Sequence, residues 1–109
     1  MLEPILGSRN AEKVLLFIFA RGEGYPREIA RFFDTDYFPI RQQLEKFGVG
    51  GVFYSRLVGR TRLYAFNPRY PFLSELKGLL KKALSFYPAV EQEKLVKVRQ
   101  RPRRPGKPL

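Results

Sequence analysis

Arg56, Arg60, Thr61 and Arg62 lie in or beside the stretch VGRTRLYAFNP (58 to 68), between two apolar runs that alternate like strands. Charged groups on such a tip contribute little to folding, but a guanidinium presents a planar fork of N–H donors that matches the oxygens of a phosphate. A second set lies upstream in YFPIRQQLEKF (37 to 47). There Arg41 can pair with O6 and N7 of guanine, Gln42 with adenine, and Phe38 can touch a thymine methyl, with Tyr37 beside them. Each good bidentate base contact is worth about 1–3 kcal/mol of discrimination. The chemistry open to these residues is recognition of a polyanion. The same residues also admit a plainer role: a solvated hairpin, Phe38 packed on a neighbouring turn, and Glu45 pairing Arg41, which leaves phosphate binding alone.

Bond-making chemistry has little to draw on. The chain has no Cys and no His, so it lacks a thiol nucleophile, an imidazole base, a disulfide and the usual transition-metal ligands. Asp34 and Asp36 read as helix caps rather than as an acid/base pair. GVGG (48 to 51) lacks the following Lys-Ser/Thr of a phosphate-cradling loop. No catalytic residue, metal or cofactor is expected, and the chain is not expected to be an enzyme. Lys and Arg number 21 against 10 Asp and Glu, a net charge of +11 that favours nucleic acid or an anionic membrane surface. The longest apolar run, Val14 to Ala20, falls short of the about 20 residues a membrane helix needs. Glu3 and Pro4 precede any apolar segment, unlike a cleaved signal peptide. These features predict a soluble, cytoplasmic protein with no membrane partner.

The elements that position the two sets can be read in order. SRNAEKVLLFIFA (8 to 20) offers Ser8 and Asn10 as caps and Glu12 in the first turn, and is apolar at every position from Val14 to Ala20, so it predicts a helix apolar nearly all round. One small core offers such a helix a single face, which implies a second apolar partner. YPREIARFF (25 to 33) predicts a short helix with Pro26 at its first position and Ile29, Ala30 and Phe33 inward. DTD (34 to 36) makes a tight turn, and 37 to 47 a third helix with Ile40, Leu44 and Phe47 inward and Phe38, Arg41, Gln42, Glu45 and Lys46 outward. Two strands, about 52 to 57 and 62 to 66, meet at the Gly59 tip. FLSELKGLLKKALSFY (72 to 87) is a strongly amphipathic helix. AVEQEKLVKV (89 to 98) is open between strand, helix and an arm that orders only on a partner.

The stretch PREIARFFDTDYFPIRQQLEKFGVGGVFYSRLVGRTRLYAFNP resembles the winged helix-turn-helix transcriptional regulators of the ArsR and MarR type. IRQQLEKF sits where their recognition helix stands, and GRTRLYAFNP is similar to the second half of their wing. The resemblance spans about residues 8 to 87. It implies an α+β, mainly α fold: three helices, a two-stranded wing and a C-terminal amphipathic helix. It also implies a homodimer on double-stranded DNA, with helix 37–47 in the major groove and wing 52–66 on the backbone or minor groove, where Arg56, Arg60 and Arg62 reach phosphates. DTDYFP is bulkier than the usual start of such a helix. The metal-sensing members use Cys, His and carboxylates, so the lack of Cys and His disfavours a metal-responsive repressor.

The chain is expected to divide into a DNA-binding and dimerisation domain (1 to 87) and a basic, Pro-rich, flexible arm (88 to 109). Within that arm, residues 97 to 109 hold six basic residues and no acid, so subtracting six from +11 leaves +5 on the rest. The first and last helices carry more apolar surface than three helices and a hairpin can cover. Dimerisation through Leu15, Phe17, Phe19, Leu76, Leu80 and Leu84 accounts for it; a monomer whose two helices pack on each other is the alternative. The function this reading predicts is sequence-specific repression of transcription by occupancy. The alternatives are a winged-helix module that holds an acidic protein partner, such as the other member of an operon-encoded pair, and RNA binding, for which aromatic residues on an exposed sheet face would be expected.

Overall fold

The computed structural model describes residues 1–97 as an α+β structure of six helices and one three-stranded antiparallel sheet. The helices are α1 (Glu3–Leu6), α2 (Arg9–Arg21), α3 (Pro26–Phe32), α4 (Tyr37–Val49), α5 (Leu73–Ser85) and α6 (Ala89–Lys97). The strands are β1 (Glu23–Gly24), β2 (Phe53–Val58) and β3 (Thr61–Phe66), in the order β1-β3-β2. The predicted succession of helix, helix, tight turn, helix, hairpin and helix is present, with α1, β1 and α6 added. Among the described residues no helix is long and apolar enough to cross a membrane.

Ser8 starts α2 as its cap, its hydroxyl accepting from the N–H groups of Asn10 (3.0 Å) and Ala11 (3.2 Å). Ala11, Val14, Leu15, Leu16, Phe17 and Ile18 are all buried, so α2 is apolar all round because neighbours surround it. The helices α1, α3, α4, α5 and α6 and the strands β1 and β3 all contact it. The expectation that this helix needs a second subunit is therefore corrected. Leu15, Phe17 and Leu80 are at most 1% exposed within the single chain and cannot form a dimer surface, while Phe19, Leu76 and Leu84 are half-buried against the same core.

Gly24 lets β1 lie against α2. A Cβ there would stand 2.7 Å from the Phe17 ring, closer than any side chain is tolerated. β1 pairs with β3, Glu23 opposite Ala65 and Gly24 opposite Tyr64, and so ties the start of α3 to the sheet. Pro26 opens α3, and Glu28 accepts from the N–H of Tyr25 at 3.1 Å. The turn to α4 differs from the expected pair of aspartate caps. Asp34 takes the left-handed conformation (φ 52°), which a short polar side chain tolerates, and Asp36 occupies the cap position of α4 with no side-chain cap hydrogen bond.

On α4, Ile40 and Leu44 are buried and Phe47 half-buried, while Phe38, Arg41, Gln42, Glu45 and Lys46 are exposed, as the helical period requires. Phe53 anchors the hairpin to this helix through an edge contact with Phe47 (5.5 Å between centroids), and within the hairpin it meets Tyr64 edge-on (6.3 Å). Val58 pairs with Thr61, so only Gly59 and Arg60 form the hairpin tip, with Gly59 at φ 65°.

The boundary expected at residue 88 is also corrected. Residues 89–97 are helical, Leu95 is buried in the core, and Arg21 donates from Nε to the Leu95 carbonyl (2.9 Å) and from Nη2 to the Lys94 carbonyl (3.3 Å). The Arg21 guanidinium also lies 4.4 Å and 4.8 Å from the centroids of Phe17 and Phe32. Beside this clamp, Tyr87 donates its hydroxyl to the buried carboxylate of Glu12, which also accepts from the N–H of Leu2. The remainder of the expected arm, 98 to 109, lies outside the described residues.

Candidate nucleic-acid interface

The outward side of α4 and the hairpin face each other across a cleft of about 310 Å³. The period of α4 brings Tyr37 and Arg41 to one wall. Strand alternation brings Leu57 and Arg62, which are paired across the ladder, to the other, with Arg60 and Thr61 at the mouth. Five of the eight residues expected to meet nucleic acid thus line one concavity: Tyr37, Arg41, Arg60, Thr61 and Arg62.

The other three stand apart from it. Arg56 pairs with Leu63 and so lies on the opposite face of the ribbon from Arg62, where its guanidinium is 3.9 Å from Glu23. Phe38 and Gln42 are exposed on α4 outside the cleft, Phe38 at 59%. Phe38 and Gln42 therefore belong to a different part of the α4 surface from the cleft arginines.

Within the site the cations are held in distinct ways. Arg41 donates from Nε to Glu45 at 2.8 Å, and this bond with its charge pairing pushes the Arg41 pKa further up. Glu45 thereby orients Arg41, and any base or phosphate must share the guanidinium with it. Arg62 donates to the Ser55 hydroxyl at 3.0 Å, which fixes it along the ribbon. Thr61 donates to the Val58 carbonyl at 3.1 Å and closes the tip, so its hydroxyl serves the turn first. Arg60 has no ion-pair partner among the described residues. Burial, with the nearby Glu45 carboxylate, pushes the pKa of the Tyr64 phenol, which also lines the cleft, up.

The structure adds residues that the sequence pattern did not single out. Arg27 of α3 stacks over Tyr37, 4.5 Å from guanidinium carbon to ring centroid, and lines the cleft together with Tyr25. Arg27 and Tyr37 are on different helices, and only the fold of the 33–36 turn makes them neighbours. Helical period alone could mark Arg27 as outward, not as part of the site. Among the described residues no group of three or more acidic side chains is placed to hold a metal ion. No protein-family model, no curated protein and no solved structure matches this chain.

Proposed function

We propose that this protein binds double-stranded DNA sequence-specifically as a winged helix-turn-helix and regulates transcription as a homodimeric repressor. In this reading α3 and α4 are the two helices of the motif, α4 enters the major groove, and the β2–β3 hairpin is the wing on the backbone or minor groove. The observation that carries it is the shared cleft: Arg27 and Arg41 from the helices and Arg60 and Arg62 from the hairpin converge on one concave, cationic surface. The exposed Phe38 and Gln42 on the same helix supply base-edge contacts beyond it.

Support for two copies comes from α5. Phe72, Leu79 and Phe86, seven residues apart in turn, remain exposed along one line of this helix and its ends, beside the face that packs on α2. An apolar line of this kind is self-complementary about a twofold axis, and a dimer through it presents two α4 helices to successive major grooves, about 34 Å apart.

The test is a titration of labelled duplex from upstream of the protein's own gene, a scrambled duplex and a single-stranded RNA across a salt series. The expected result is binding of the upstream duplex at least about a thousandfold tighter than the scramble. Arg60→Ala/Arg62→Ala should reduce the salt slope by about two. Equal, weak and salt-sensitive binding to all three probes would overturn specific recognition and bring an acidic protein partner forward.

A further inference from the structure

The hairpin tip carries apolar side chains where neither the core nor the turn asks for them. Leu57 is 62% exposed and Val58 41%, and they are the last two residues of β2 before the Gly59-Arg60 turn. Leu57 pairs with Arg62 and Val58 with Thr61, so the two side chains project from opposite faces of the ribbon. Arg56, Arg60 and Arg62 stand around them. An apolar end rimmed by guanidinium groups is ill suited to open solvent, and equally to a bare phosphate surface, which would leave Leu57 and Val58 without a partner.

A base-pair step seen from the minor groove has the complementary pattern: anionic rims on both sides and, once unstacked, apolar base faces between them. The B-form minor groove is about 6 Å wide, too narrow for a ribbon tip bearing bulky side chains on both faces. Entry must therefore widen the groove, and widening of this kind is accompanied by partial unstacking and a kink toward the major groove. Resting on the DNA-binding reading above, we propose that the wing tip is a wedge. Leu57, assisted by Val58, inserts at a base step while Arg60 and Arg62 hold the flanking phosphates, so that the protein kinks the DNA it binds. Pyrimidine–purine steps such as TA unstack most easily and are the expected sites.

The experiment uses a duplex of about 30 base pairs with TA steps at its centre, with a donor and acceptor at its ends and 2-aminopurine in the central step. Binding is read separately by anisotropy. The wild-type protein should raise 2-aminopurine fluorescence and end-to-end energy transfer, corresponding to a kink of about 20–90°. Leu57→Ala/Val58→Ala, compared at protein concentrations that saturate the duplex by anisotropy, should abolish both signals. Leu57→Phe, a bulkier wedge, should keep both signals, and circular dichroism should show each variant folded. A wild-type complex whose duplex stays straight and stacked overturns the wedge and leaves DNA binding intact. An alanine variant that still kinks the duplex also overturns it. Absence of duplex binding overturns both readings, and the tip would then be an anchor for a protein surface.

Discussion

Glu12 is buried on α2 and accepts three hydrogen bonds, and its chemistry contributes to how the fold responds to acid. Burial pushes its carboxyl pKa up, but hydrogen bonds from the Tyr87 hydroxyl, the Leu2 N–H and the terminal amino group outweigh this and leave it below the ordinary 4.5. A folded pKa below the unfolded one means that the unfolded chain binds more protons at low pH. The stabilisation is therefore complete above about pH 4.5 and disappears as the pH falls through the folded value. Glu12→Gln should flatten the decline of the urea midpoint below pH 4.5, and parallel pH profiles for the two proteins would refute this role. At the same scale, the sequence exposed the types and the outward direction of Arg41, Gln42 and Phe38, because the helical period decides both. It did not expose the pairing of Arg27 with Tyr37 or the separation of Arg56 from Arg62. The first depends on a turn geometry, and the second on the β2–β3 register set by the two-residue turn.

Among elements, β1 is the smallest, yet it ties others together. Its two residues join β3 to the start of α3, and Gly24 lies so close to α2 that a methyl group would meet Phe17 at 2.7 Å and Ile29 at 3.2 Å. Both neighbours are buried and α2 is fixed on every side, so neither can move aside freely. Gly24→Ala should cost about 1–3 kcal/mol, measured as a lower denaturant midpoint. A two-residue strand has no periodicity to read, so RGEG looks only like a helix stop in the sequence. The opposite situation arose in α2, whose apolar character was plain but whose partners were not. A helix buried by seven other elements and a helix buried in a dimer have the same composition, and only tertiary packing distinguishes them. For α6, Leu95 as the one buried leucine among its described side chains leaves too weak a pattern, and the buried guanidinium of Arg21 supplies what the apolar period lacks.

For the whole molecule, the face open to another copy is displaced from the one that the amphipathic pattern suggested. The α5 arc is broad because it serves two purposes: Leu80 and Ala83 close the core, while Phe72, Leu79 and Phe86 lie outside it, Phe86 being 67% exposed. If the proposed dimer forms through this face, Leu79→Glu/Phe86→Glu should give a monomer in sedimentation equilibrium where the wild-type protein gives a dimer, with an unchanged circular dichroism spectrum. A wild-type protein that is monomeric at all concentrations would exclude this surface. The same variant should weaken binding to a two-half-site duplex far more than to a single half-site, because only the former needs both copies of α4.

The clamp between α2 and the end of the described chain joins residues 73 to 75 positions apart, through Arg21 with Lys94 and Leu95 and through Glu12 with Tyr87. During synthesis, the side of α2 that α6 covers stays open to water until residue 95 has left the ribosome, long after both α4 and the hairpin have emerged. Loop closure over such a separation is slow compared with helix formation. The nascent chain thus exposes Leu16 and its apolar neighbours for most of its elongation, and a stop anywhere before Leu95 leaves a product with an unsealed core. A chain that runs through Leu95 covers this side of its central helix, and one cut before Leu95 leaves Leu16 and its neighbours open to solvent.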